Sequence, residues 1–343
     1  MGREGNRGAD GESPNGAEQQ RHLQGKSGRC MGVRARVKRG VHFRNANAAP
    51  FWKRCGPVMS DLFAQSSTTV FDLRAGDCLA GMSALPAESV DLVVTSPPYN
   101  LDIAYASYRD DAPREEYLAW SYLWCAEVQR ILKPAGSFFL NIGAAPANPL
   151  LPHEIVLKLQ PLFRLQNTLH WIKSITVQPR RAPEISVGHF KPINSRRYLT
   201  DCHEYVFHLT KTGNVPLDRL AVGVEYADKS NIARWAHTRG EARDRRCRGN
   251  NWFIPYATIL RRQQDRPHPA TFPSQLAEWC IKLHGARPDL TMLDPFLGLG
   301  HSAQAAAACG VKKFIGFEID DGYLAEAKIR NPNIEIRTKA AND

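Results

Sequence analysis

The stretch Asp91-Leu-Val-Val-Thr-Ser-Pro-Pro-Tyr-Asn100 decides how the rest of the chain is read. Leu92 to Thr95 is a short apolar run of the kind that forms a fully buried strand. It leads straight into Ser96-Pro97-Pro98-Tyr99, and two consecutive prolines end both helix and ladder pairing, because each lacks an N–H and fixes φ. The backbone beyond the strand is therefore stiff and extended, with carbonyls and one aromatic ring held at the strand's carboxyl end. In open α/β sheets, ligands bind at that edge. Pro-Pro-Tyr alone is an ordinary loop sequence. It gains weight from a distant second stretch, Leu293-Asp-Pro-Phe-Leu-Gly-Leu-Gly300.

Around these two stretches the chain alternates strand and helix. A strand is expected over 69–73, a turn at Gly76-Asp77, a helix over 78–85 and the next strand over 91–95. Pro113-Arg-Glu-Glu116 starts an amphipathic helix running to about Leu132, stopped by Lys133-Pro-Ala-Gly136. A buried strand follows over 137–142, a helix over 153–160, and strands over 165–171 and 205–209. Toward the end come a helix over 273–284, a strand over 291–293, an alanine-rich helix over 302–309, a strand over 313–317 closed by Glu318, and a helix over 321–329. Strand–helix–strand with short connections predicts an α/β fold with a parallel, doubly wound sheet.

Two segments break this rhythm. Residues 173–198 read as a long loop carrying Arg180, Arg181, Lys191, Arg196 and Arg197. Residues 211–262 carry Arg234-Trp235, then Arg243, Arg245, Arg246 and Arg248, followed by Asn250 and Trp252. Arginine interleaved with amide and aromatic side chains suits phosphate contact and base-edge reading, although a charge run is more often a solvated face.

The 343 residues suffice for one large domain or two modest ones, and 43% hydrophobic content can build a full core. No apolar run reaches the length of a membrane span. The eight scattered cysteines form no paired motif, so a zinc site and a disulfide framework are not expected; reduced thiols and a cytoplasmic location are. The net charge of +11 is uneven: residues 1–58 hold 12 Lys+Arg against 4 Asp+Glu, and the remainder 33 against 30. The overall charge is therefore weak evidence for nucleic acid. Residues 1–58 lack apolar periodicity and are expected to form a disordered basic leader, more readily a dispensable one with translation starting near Met59 or at Met31 than an arm on nucleic acid.

Strand, Gly-x-Gly loop, helix, strand and acidic residue together describe a nucleotide-type cofactor site. The glycines admit a ligand close to the backbone, and a carboxylate some twenty residues on can accept ribose hydroxyls. Gly298, Gly300 and Glu318 fit. The third glycine of a pyrophosphate fingerprint is missing, which favours a cofactor without phosphates over NAD.

With these motifs in place the chain resembles the amino-methylating DNA methyltransferases. Their (S/D/N)-P-P-Y tetrapeptide matches Ser96 to Tyr99, and their F-x-G-x-G loop matches Phe296 to Gly300. The catalytic motif precedes the cofactor loop here, as in the permuted β group, and the match covers about 68–330. The resemblance implies a Rossmann-like methyltransferase sheet with an inserted target-recognition region. Its parts would be a catalytic half over 59–210, the recognition region over 211–262 and a cofactor half over 263–343. It implies S-adenosyl-L-methionine as cofactor, with Asp294, Phe296, Gly298 and Gly300 in its loop and Glu318 on the ribose. Asp77 would contact the adenine, and the segment with His268, Pro269 and Phe272 would hold the methionine end. Ser96, Pro97, Pro98 and Tyr99 would be catalytic. In this family Ser-Pro-Pro-Tyr usually accompanies cytosine N4, and Asp-Pro-Pro-Tyr adenine N6. The implied partner is double-stranded DNA, with a cognate restriction endonuclease as a genetic partner and a monomer or homodimer as the working form. The segments Ser230 to Trp235 and Arg248 to Tyr256 resemble those of enzymes that modify GC-rich palindromes, which implies a target of CCCGGG type. Glutamine-N5 protein methyltransferases place the cofactor loop before their Asn-Pro-Pro-Tyr, so motif order argues against that rival. A non-catalytic nucleic-acid-binding protein and an RNA substrate complete the competing readings.

Overall fold

The computed structural model describes residues 69–103, 105, 107–177, 185–188, 195–199, 201–230, 232, 244–255 and 270–330, all within the unit Asp61–Asp343. The expected leader lies outside the described residues. So do Arg180, Arg181, Arg234, Trp235, Arg243, His268 and Pro269.

The described strands are β1 (Val70–Ala75), β2 (Val90–Thr95), β3 (Leu132–Ile142), β4 (Arg164–Val177), β5 (Ile185–Gly188), β6 (His203–Thr210), β7 (Asn251–Pro255), β8 (Thr291–Asp294) and β9 (Lys313–Glu318). The described helices are α1 (Cys78–Ser83), α2 (Arg114–Ile131), α3 (Leu151–Leu159), α4 (Ser274–His284), α5 (His301–Ala308) and α6 (Asp321–Arg330). The strands form one sheet in the order β1-β9-β8-β2-β3-β6-β4-β5, with β7 also on β4. The run β1-β9-β8-β2-β3 is parallel, and β6 enters antiparallel between β3 and β4.

All six positions of β2 are buried, as a central parallel strand covered on both faces requires. Its side chains alternate between two cores. Leu92 and Val94 join the face covered by Leu276 and Cys280 of α4 and by Ala303 and Ala306 of α5. Val93 joins the face covered by Trp124 and Val128 of α2 and by Ile155 of α3. The fully buried alanines of α5 leave little side chain between helix and sheet, so that helix packs close. Chain direction splits between β8 and β2: β8 continues through α5 toward β9, while β2 continues through α2 toward β3. The two loops that leave these adjacent parallel strands therefore open into one crevice, the topological switch point where such sheets bind ligands.

The structure corrects three expectations. The helix does end just before Lys133-Pro-Ala-Gly136, at Ile131, but these residues belong to the next strand rather than to a connection: β3 begins at Leu132, not at 137, and Lys133 Nζ reaches Asp91 at 2.9 Å. The segment read as a long loop from Lys173 is partly sheet, because β4 continues to Val177 and pairs antiparallel with β5. No strand was expected within 211–262, yet β7 lies there, pairs parallel with β4 and places Trp252 and Ile254 in the core. Alternating exposure along β7 marks it as a half-buried edge strand, a pattern that the arginines before it obscured. Among the described residues, no helix is long and apolar enough to cross a membrane.

A buried polar cluster ties β3, β6 and α4 together. His208 Nε2 and His284 Nδ1 each lie 3.0 Å from Ser137 Oγ, and Asn167 Nδ2 lies 3.0 Å from His208 Nδ1. Burial lowers the His208 pKa to about 3, helped by the His284 charge; burial and the Arg287 charge lower that of His284 to about 4. Both values lie below the ~6.5 of an unfolded chain, so the unfolded state takes up protons first. Stability is complete above pH ~6.5 and is lost as the pH falls toward the folded-state values. Each histidine should remove roughly 2 kcal/mol by pH 5, partly offset by the buried acid described below. The expected outcome is a lower thermal midpoint at pH 5 than at pH 7, with a smaller drop in His284→Gln. An unchanged pH slope in that variant would refute the assignment.

Candidate active site

The serine–proline loop leaves β2 and the glycine loop leaves β8, and a buried acid locks them together. Asp294 Oδ1 accepts from Thr95 Oγ1 at 2.6 Å and from the Phe296 amide at 3.1 Å, and Oδ2 accepts from Ser302 Oγ at 2.5 Å. One carboxylate thus fixes the end of β2, the start of the glycine loop and the first turn of α5. Asp294 is fully buried, and burial raises its pKa to about 6 against the lowering effect of these bonds. It stands behind the cavity rather than among its lining residues.

Gly298 (φ 52°) and Gly300 (φ 79°) both take the left-handed conformation, which side-chain-bearing residues rarely adopt. Gly300 is the residue before α5. The Gly298 amide donates to Glu318 Oε2 at 2.7 Å, and the Asp320 amide donates to Glu318 Oε1 at 3.0 Å. Burial raises the Glu318 pKa. Phe296 packs edge-on against Trp124 and Trp120, with ring centroids 5.1 and 5.6 Å away, which holds the loop down on α2.

On the other wall, Tyr117 Oη donates to the Pro98 carbonyl at 2.5 Å. Asp110 accepts the amides of Asn100, Leu101 and Ile103 at 2.7, 3.0 and 3.2 Å. These bonds hold Asn100 and Asp102 at positive φ, folding the chain back over the cavity. Ser96 Oγ lies 2.7 Å from Tyr99 Oη, which donates to Glu204 Oε2 at 2.9 Å. Asn141 Nδ2 reaches Ser96 Oγ, Tyr99 Oη and Glu204 Oε2 at 3.2, 2.8 and 2.7 Å. Lys173 Nζ pairs with Glu204 Oε1 at 2.6 Å. Burial, followed by the charge of Glu204, holds the Tyr99 phenol well above its usual pKa. Among the described residues the buried Asn141 Oδ1 has no hydrogen-bond partner, an unmet acceptor that costs ~1–3 kcal/mol until a donor arrives.

These residues surround a cavity of about 450 Å³, within the range of small-molecule sites. Of the expected residues, Ser96, Pro97, Pro98, Tyr99, Asp77, Phe272, Phe296, Gly298 and Glu318 line it. Asp77 also caps α1, accepting from the Ala80 amide at 3.0 Å. Asn141, Lys173, Glu204 and Asp320 line it too and were not singled out from the sequence. Asn141 had left a trace, as a polar residue near the end of an apolar strand beside the serine–proline loop. Glu204 had left one as the acid opening a strand.

The charges of the lining suit one kind of ligand. Among the described residues, Asp77, Asp201, Glu204, Glu318 and Asp320 face it with Lys173 as the sole lysine or arginine. A pyrophosphate would meet repulsion there, whereas a ligand carrying ammonium and sulfonium charges would be favoured.

The residues expected to contact DNA divide. Arg196, Arg197, Arg245, Arg246 and Asn250 are exposed. Arg248 is half-buried, with Nε donating to the Val222 carbonyl at 2.9 Å and its guanidinium 4.0 Å from the Trp279 ring centroid. The expectation for Trp252 is corrected: at 1% exposure, with its indole N–H on the Gly249 carbonyl, it is a core residue.

A doubly wound sheet with a proline-stiffened loop and a glycine loop meeting over an acidic cavity defines a cofactor-dependent α/β protein. A family profile described as DNA methylase matches residues 90–329, and the chain belongs to that family. It is 27% identical over 259 residues to the type II methyltransferase M.BglII of Bacillus subtilis, covering 73% of this chain and 65% of that relative. This chain thus spans just under two thirds of that relative's length. It is also 27% identical over 253 residues to the DNA adenine methyltransferase YhdJ of Escherichia coli (strain K12), covering 73% of this chain and 78% of the relative. Among solved structures, the cytosine-N4-specific PvuII DNA methyltransferase superposes with a TM-score of 0.54 at 23% identity, covering 77% of this chain and 87% of the other.

Proposed function

We propose that the protein transfers a methyl group from S-adenosyl-L-methionine to the exocyclic N4 of a flipped-out cytosine in double-stranded DNA. We further infer that it is the modification enzyme of a type II restriction–modification system, with the nuclease as a genetic partner. The observation that carries the reading is the meeting of Ser96-Pro97-Pro98-Tyr99 and the loop that begins at Phe296 on one cavity whose described charged residues are five carboxylates and a lysine.

The cofactor would supply an activated methyl on a sulfonium. Glu318 and the backbone at Gly298 would hold its nucleoside, and the acidic lining would favour its charge. An exocyclic amine attacks poorly because its lone pair is delocalised into the ring. Acceptors on its N–H bonds favour a more tetrahedral nitrogen and stabilise the charge that develops there. Ser96 Oγ and the Pro97 carbonyl are suited to that role, and the Tyr99 ring to stacking on the base once it leaves the duplex. Arg196, Arg197, Arg245, Arg246 and Asn250 are proposed to face the DNA.

Cytosine is preferred because Ser rather than Asp opens the tetrapeptide; adenine N6 is the second reading, favoured by the relative named as an adenine methyltransferase. Mass analysis of nucleosides from DNA methylated by the pure protein decides between them. N4-methylcytosine is expected, and N6-methyladenine as sole product would overturn the choice of base.

A further inference from the structure

Methylating an amine leaves a surplus proton on nitrogen, and a neutral serine hydroxyl cannot retain it. Among the described residues, the polarity of one hydrogen-bond chain indicates where it goes. Tyr99 has a single hydroxyl proton, and Glu204 Oε2 takes it at 2.9 Å, because a carboxylate can only accept. The 2.7 Å contact between Ser96 and Tyr99 must therefore be donated by Ser96. The remaining lone pair of Ser96 is then available for an incoming N–H. The two protons of Asn141 Nδ2 serve Tyr99 Oη and Glu204 Oε2 at 2.8 and 2.7 Å, with Ser96 Oγ farther off at 3.2 Å, and keep the row aligned. The whole row is directed from Ser96 toward Glu204, which lines the cavity and is itself buried.

Resting on the methyl-transfer reading above, we propose that Glu204 is the terminal proton acceptor of the reaction, reached from the target amine through the hydroxyls of Ser96 and Tyr99. As the nitrogen lone pair forms the N–C bond, the C–S bonding pair stays on sulfur and the nitrogen becomes cationic. Its N–H bond then breaks, with the electron pair returning to nitrogen. The proton moves to Ser96 Oγ, the serine proton to Tyr99 Oη, and the tyrosine proton to Glu204. The result is a neutral methylated amine, both hydroxyls restored and a protonated carboxyl that exchanges with solvent after product leaves. The groups facing Glu204 are Lys173 from β4, paired at 2.6 Å, Tyr99 from the loop after β2, and Asn141 from β3. Tyr105 feels its charge, and Asp201 lines the same cavity.

This assigns Tyr99 two separable jobs, a ring for stacking and a hydroxyl for the relay, and Tyr99→Phe separates them. The full-length protein is assayed in single turnover with duplex DNA carrying 2-aminopurine next to the target, so that base extrusion is read by fluorescence independently of methyl transfer. The expected result for Tyr99→Phe and for Glu204→Gln is roughly a hundredfold slower transfer, with the fluorescence change retained. In wild type the logarithm of the rate should fall by one per pH unit on the acid side. That limb should vanish in Glu204→Gln and persist in Glu204→Asp. If Glu204→Gln does not fold, Tyr99→Phe alone decides. Wild-type rates in Tyr99→Phe, or slow transfer with the fluorescence change lost, would overturn the relay. Absence of any transfer by the wild-type protein would instead overturn the methyl-transfer reading itself.

Discussion

Tyr99→Ala should lower single-turnover methyl transfer by about a thousandfold while leaving cofactor affinity within about twofold of wild type. Two losses combine. Stacking of a base on an aromatic ring is worth ~1–3 kcal/mol, which by itself is a factor of roughly 5 to 150 in how often the extruded base is held. The second is the hydroxyl. Its removal leaves Glu204 Oε2 without the tyrosine proton and Ser96 without the acceptor that orients it. Ser96 can then turn its proton toward the amine and repel it. Cofactor affinity should survive because the glycine loop is held by Asp294, Glu318 and the tryptophans of α2, none of which bonds to Tyr99. Calorimetric titration with the cofactor and a labelled-methyl assay measure the two quantities separately. Equal losses in both would mean that Tyr99 shapes the cavity as a whole. The ratio of the Ala to the Phe variant isolates the contribution of the ring.

The parts of this site that were legible in the sequence are those where backbone chemistry forces a local pattern. Paired prolines and the glycines at 298 and 300 can be read without knowing what lies nearby, because their φ restrictions belong to the residues themselves. That the sheet would be parallel followed from buried runs punctuated by helices, though the order of its strands did not, and α5 declared its close packing through alanine. What stayed hidden depends on residues distant in the chain. Asn141 and Glu204 are 63 positions apart and meet only because β6 inserts antiparallel beside β3, a pairing that no local pattern encodes. Trp252 misled for a related reason. Arginines directly before it suggested an exposed surface, whereas the register of β7 on β4 turns its ring inward against Trp279, with centroids 5.4 Å apart. Side-chain type shows what a residue can do; the sheet decides which way it faces.

Asp294→Ala should destabilise the protein by ~3–5 kcal/mol and weaken cofactor binding at least tenfold, although Asp294 does not line the cavity. Removal of the carboxylate leaves Thr95 Oγ1, Ser302 Oγ and the Phe296 amide without their acceptor, and each buried group left unpaired costs ~1–3 kcal/mol. The same loss frees the glycine loop from β2, so the two walls of the cavity no longer share an anchor. Asp294→Asn keeps the shape but offers one acceptor oxygen instead of two, and it should fall between Ala and wild type. Its pH behaviour tests the cause. A folded-state pKa raised to about 6 means that the stability due to the protonated acid is fully present below the unfolded value of ~3.9. It is lost as the pH rises through 6. The uncharged amide has no such dependence, so the deficit of Asp294→Asn relative to wild type should shrink by about 1 kcal/mol between pH 5 and pH 8. Chemical denaturation of both proteins across that range measures it. A deficit that grows with pH would show that the carboxylate is stabilised, not strained, by its burial between β2 and α5.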